Sequence, residues 1–99
     1  MMQFSEETKS KISELCRKNN VRELSLFGSR VRDEHRSDSD YDFLIEFFPD
    51  AGIGLIEFVG IKNELEELLG AGVDLVPKSG LKRRIRQRVL SEARNIYAG

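Results

Sequence analysis

Apolar positions along the chain alternate between two spacings. Ile12, Leu15 and Cys16 recur at helical intervals, preceded by Ser5 and the acidic pair Glu6-Glu7. Ser5 can cap the free N–H groups of a first turn, and acid there opposes the helix dipole, so residues 5–18 are predicted to be a helix ended by Lys18-Asn19-Asn20. Leu24-Ser25-Leu26-Phe27 and Phe43-Leu44-Ile45-Glu46-Phe47-Phe48 are compact apolar runs, read as strands over 22–27 and 41–48. The second breaks at Phe48-Pro49-Asp50-Ala51-Gly52. Leu55, Phe58, Val59, Lys62, Leu65 and Leu69 follow a helical period, predicting a helix over 54–69 stopped by Gly70. Val73-Asp74-Leu75-Val76 reads as a short third strand closed by Pro77, and Leu81, Ile85, Val89, Ala93 and Ile96 predict a last helix over 80–97.

The order is α-β-(α)-β-α-β-α, where the bracketed element is a turn or two of helix from Ser29 to about Glu34. It predicts an α/β (or α+β) fold with helices packed on a small mixed three-stranded sheet. Ninety-nine residues suit one domain spanning 1–99. Apolar residues at 39% and charged residues at 33% describe a globular chain, and no apolar run approaches the roughly 20 residues that cross a bilayer. The start, Met1-Met2-Gln3-Phe4-Ser5-Glu6-Glu7, lacks the basic-then-apolar order of a signal peptide, which points to the cytoplasm. Cys16 is the one cysteine and, on an apolar helical face, is expected to be a small buried hydrophobe. A net charge of −1 argues against stable nucleic-acid binding, although six of the eleven residues from Lys78 to Arg88 are basic. Those six, Lys78, Lys82, Arg83, Arg84, Arg86 and Arg88, read first as the solvated side of the last helix.

Candidate chemistry lies between the first two strands. Gly28-Ser29 can bring backbone N–H groups up to an anion, because glycine has no side chain to block the approach. Asp40 and Asp42 are two apart and share one face of a strand. Two carboxylates so placed repel unless a cation sits between them, and hard oxygen ligands suit Mg²⁺ held together with phosphates. A phosphate cradle beside such a site suggests phosphoryl or nucleotidyl transfer. For Gly28 and both aspartates to touch one nucleotide, the first two strands must run antiparallel. Asp74 stands in a four-residue apolar strand and needs a partner there, either a following basic residue or the same metal. The metal requires the second and third strands to run parallel, with helix 54–69 as the crossover. Arg30 and Arg32 flank the cradle and can meet phosphates or water. His35 reads as exposed and non-catalytic, and Tyr41, alternating away from its two aspartates, as packing.

Gly-Ser, ten residues, then Asp-x-Asp resembles the signature of the nucleotidyltransferase superfamily that includes DNA polymerase beta. The finer pattern Gly-Ser-Arg-x-Arg…Asp-Ser-Asp-x-Asp resembles its minimal (MNT) branch, small antitoxin-like proteins encoded beside HEPN-domain toxins, and the likeness runs from about Val21 to the end. The resemblance implies a Mg²⁺-dependent transfer of AMP from ATP, with two metal ions on Asp40, Asp42 and Asp74. Gly28, Ser29 and Arg30 would hold the nucleotide. Asp74 would draw the proton from the attacking hydroxyl, which the resemblance identifies as a tyrosine of a HEPN toxin. The chain departs from many members in having Asp33 where they have glycine and Ser37 where they often have proline. Asp33 adds negative charge beside the proposed triphosphate, which favours a second reading, an antitoxin that neutralises its partner by contact alone. A third, the catalytic subunit of a small-molecule nucleotidyltransferase, would need an added domain.

Overall fold

The computed structural model describes residues 4–28, 31 and 40–99. Helix α1 (Glu6–Lys18) begins where Ser5 accepts a hydrogen bond from the Thr8 N–H at 3.1 Å, and its basic last turn, Arg17-Lys18, complements the dipole. Strand β1 (Val21–Phe27) follows through Asn20, whose φ of 59° is of the left-handed kind that asparagine tolerates. Strand β2 (Tyr41–Phe47) leads to helix α2 (Leu55–Leu69), which ends at Gly70 in the left-handed conformation. Strand β3 (Val73–Pro77) runs into a single 3-10 turn at Lys78–Gly80. The expected boundaries of these elements hold to within a residue or two.

The last segment differs from expectation. Helix α3 is confined to Arg83–Glu92, and Arg94–Ala98 forms strand β4, antiparallel to β1. The predicted helix over 80–97 is therefore a helix followed by a strand, and the three-stranded sheet is four-stranded, in the order β3-β2-β1-β4. Ala93 already has extended angles, and Ile96, the last residue of the expected helical stripe, packs together with Tyr97 against the core from β4. The β-propensity of that pair and the open edge of β1 together outweigh the helical period. The predicted directions hold: β1 and β2 are antiparallel, and β2 and β3 are parallel with α2 as the crossover.

The sheet has two unlike faces. Leu24, Leu26, Phe43, Ile45, Val73 and Leu75 point to one side and meet Ile12, Leu15 and Cys16 of α1 and Ile61 and Leu65 of α2 in a continuous core. Tyr41 belongs to this side, its ring 5.8 Å from Phe4 and 6.1 Å from Phe43, which agrees with a packing role. Cys16 is buried as expected, and desolvation pushes its thiol up to about 12, which keeps it protonated and inert. The other face carries Glu23, Ser25 and Phe27 of β1, Asp42, Leu44 and Glu46 of β2, and Asp74 and Val76 of β3. Glu23 and Glu46 face each other across the strands, and Lys78 answers both, at 3.0 and 3.7 Å. No helix among the described residues is long and apolar enough to cross a membrane.

Candidate active site

Register builds the candidate site. Phe27 pairs with Asp42, and Asp42 pairs with Asp74, so the three side chains form one row across β1, β2 and β3 on the face away from the core. Each strand turns alternate residues outward, and in-register neighbours share a face. Phe43 and Leu75, next in sequence to the two aspartates, are core residues, which fixes both carboxylates on the open side.

Gly28 follows Phe27 with φ +84°, in the left-handed region, and its carbonyl accepts a hydrogen bond from Val31 N–H at 3.1 Å, closing a tight turn. A Cβ on Gly28 would run into the carboxylate of Asp42, with Asp42 Cγ only 3.1 Å away. The bare Cα is thus what lets the turn lie directly against the carboxylate. Asp40 sits one step before β2 and is exposed. Its carboxylate lies over Gly72, where an added Cβ would approach Asp40 Cγ to 3.0 Å, and Gly72 O accepts from Tyr41 N–H at 2.9 Å. Gly72 is a site-shaping residue that the sequence reading passed over. Its signal was a second glycine two after the Gly70 helix stop and directly ahead of the Asp74 strand.

The start of β3 is pinned by Glu66, whose carboxylate accepts from Val73 N–H at 3.0 Å and from Lys62 at 3.1 Å. The backbone N–H and then the lysine hold this carboxyl below its ordinary range. Asp74 itself is exposed, and among the described residues no cation pairs with it, so the basic residues that follow it in sequence do not supply its partner. Of those basic residues, Lys78 bridges the two glutamates and Arg88 approaches Glu92 at 3.5 Å, while α3 has no fully buried residue.

Asp42 and Asp74 are thus brought together, Gly28 is set against Asp42, and Asp40 stands beside Gly72 at the same end of the sheet. Ser29, Arg30, Arg32, Asp33, His35 and Ser37, with most of the predicted turn from Ser29 to Glu34, lie outside the described residues. Among the described residues no three His, Cys, Asp or Glu side chains close into a metal-binding group. The donor chemistry of the Asp42–Asp74 pair nevertheless fits a hard divalent cation, and the glycine-lined turn beside it fits a ligand phosphate.

A mixed sheet backed by helices on one side, with a glycine turn and a carboxylate row at one end of the other, has the architecture of the nucleotidyltransferases. The chain belongs to the nucleotidyltransferase domain family, which it matches over residues 9–96. It is 46% identical over 79 residues to the protein adenylyltransferase MntA of Thermococcus cleftensis, a match covering 80% of this chain and 78% of the relative. A provisionally named protein adenylyltransferase of Methanocaldococcus jannaschii is 39% identical over 87 residues, covering 88% of this chain and 91% of the relative. A solved structure provisionally described as a minimal nucleotidyltransferase superposes with a TM-score of 0.76 at 38% identity, over 89% of this chain and 88% of the other. A toxin–antitoxin crystal structure with AMP-PNP shares the fold, with a TM-score of 0.74 at 24% identity, over 92% of this chain and 73% of the other.

Proposed function

We propose that this nucleotidyltransferase moves AMP from ATP to a tyrosine hydroxyl of a HEPN-domain toxin and thereby acts, in the cytoplasm, as the antitoxin of a pair. The observation that carries this reading is the in-register pairing of Asp42 with Asp74 beside a glycine whose Cα abuts Asp42. The similarity to MntA of T. cleftensis, a protein adenylyltransferase, supports protein as the acceptor. Asp40, Asp42 and Asp74 would hold Mg²⁺, in all two ions, which would supply positive charge against the triphosphate. Gly28 and Ser29 offer backbone N–H groups to that triphosphate, and Arg30 offers its guanidinium.

Transfer joins the tyrosine oxygen to the α-phosphorus and breaks the bond to the β-phosphate oxygen. Pyrophosphate leaves, and Asp74 accepts the proton that the hydroxyl gives up. The exposure of Asp74 suits that role, because an acceptor carried on another protein can reach it.

Intact mass of the partner after incubation with ATP and Mg²⁺ tests the proposal. Wild type should add adenylyl groups. Asp74→Asn should still bind the partner yet lose transfer by about a hundredfold or more, the usual cost of removing a general base. Equal adducts from both would remove Asp74 from the chemistry. Inhibition of the partner without any adduct would transfer the case to neutralisation by contact.

A further inference from the structure

Helix α2 is apolar on two sides. Phe58, Ile61 and Leu65 turn inward to the core. Leu55, Ile56 and Val59 turn away from it and are 78%, 85% and 42% exposed. Leu55 and Ile56 are the two most exposed large apolar side chains among the described residues. A helix that is apolar around its girth is normally covered on every side. Gly60 lies on the same outward face, one turn after Ile56. Glycine is a poor residue inside a helix. Nothing within the chain calls for it here, since among the described residues a Cβ on Gly60 would meet no atom within 4 Å. The outward face of α2 thus carries a projection at Ile56 and a notch at Gly60.

We propose that this face pairs with the same face of a second copy of the chain, the two α2 helices lying antiparallel about a two-fold axis with each Ile56 seated over the other copy's Gly60. The occupant follows from self-complementarity. A two-fold contact needs projection and recess within one patch, and the Ile56–Gly60 spacing supplies both. Antiparallel packing also opposes the two helix dipoles. It carries Glu64 and Glu67 of each copy past the other's Gly54, the positive end of its helix. Leu55, Ile56 and Val59 amount to an apolar patch on the order of 300 Å² per copy. Doubled by the symmetry and extended by its polar rim, the contact reaches about 1,000 Å², the lower end for a specific interface, so the dimer is reversible and concentration-dependent. Helix α2 ends just before Gly72, which lies against Asp40. The patch at its start is therefore about 20 Å from the carboxylate end, and pairing leaves both candidate sites open to an acceptor.

Sedimentation equilibrium of the full chain across a micromolar to millimolar range tests this, with circular dichroism to check helix content. Wild type should rise from the monomer mass to a plateau at twice that mass. Ile56→Lys replaces the projection with a charge at a position that is already exposed. Gly60→Gln fills the notch and favours the helix. Each should weaken the dimer by about tenfold or more, as loss of a central contact does. Dilute Gly60→Gln should also melt at or above wild type, a combination that damage to the fold would not produce. Wild type that stays monomeric throughout would overturn the proposal and leave the face to a different protein. A dimer that both variants leave intact would overturn it by placing the contact elsewhere. A mass that climbs past twice the monomer without a plateau would overturn it by removing the two-fold axis.

Discussion

Gly28 concentrates the most constraint in one residue. Its φ of +84° is unfavourable for any side chain, and its hydrogen occupies space that Asp42 borders. Gly28→Ala should cost about 1–2 kcal/mol from the left-handed backbone alone, and it should also push Asp42 out of its row. Thermal denaturation should show the first effect and ATP calorimetry the second; a variant that melts and binds like wild type would mean the turn is not strained against Asp42. Asp74→Asn should behave oppositely in stability. It removes one of two carboxylates that face each other in register, so apo melting should hold or rise, as like charges opposite one another are destabilising. A clear fall in apo melting temperature would show that Asp74 is held by a structural partner. These residues were legible in the sequence because glycine and paired aspartates between apolar strands have few other uses. Gly72 was not, because its role appears only once β3 is laid beside β2 and Asp40 comes to rest on it.

Two polar contacts tie the elements together and make their own predictions. Glu66 joins the end of α2 to the start of β3, and its carboxyl is lowered in the folded protein by the Val73 N–H and by Lys62. The stability it contributes is present above the unfolded carboxyl range, about 4.3, and is lost as pH falls through the folded value. Glu66→Gln should therefore melt lower than wild type at neutral pH, with the gap closing in acid. A gap that persists unchanged at pH 2 would assign the effect to packing. Lys78 reaches from the turn after β3 to Glu23 and Glu46, which face each other on β1 and β2. Lys78→Met should leave two facing carboxylates unanswered and cost about 1 kcal/mol, less in high salt; equal melting at low and high salt would count against it. Helices α1 and α2 and the first three strands could be read locally because each buries a periodic face against one core. Strand β4 could not, because Leu81, Ile85, Val89, Ala93 and Ile96 fit a helix as written. What decides for a strand is the unfilled edge of β1, a partner about 70 residues away (Leu24 beside Tyr97) that no local pattern records.

The molecule as a whole depends on that distant pairing, since β4 turns β1 from an edge into an interior strand. Removing residues 94–99 should bare the backbone of β1 next to the glycine turn, lower the melting temperature and promote self-association. Sedimentation velocity would detect the larger species, and an unchanged profile with wild-type melting would show β4 to be dispensable. The row Phe27–Asp42–Asp74 has a different kind of consequence. A slip of one residue between β2 and β3 would swing Asp74 into the oily layer under the helices and lift Val73 or Leu75 into water. Burying an uncompensated carboxylate is costly enough that chains zipped one step out of place would be scarce among folded molecules. Asp74, proposed above to serve the chemistry, therefore doubles as an alignment key: a molecule assembled wrongly identifies itself by instability, and the surviving population is screened for correct assembly.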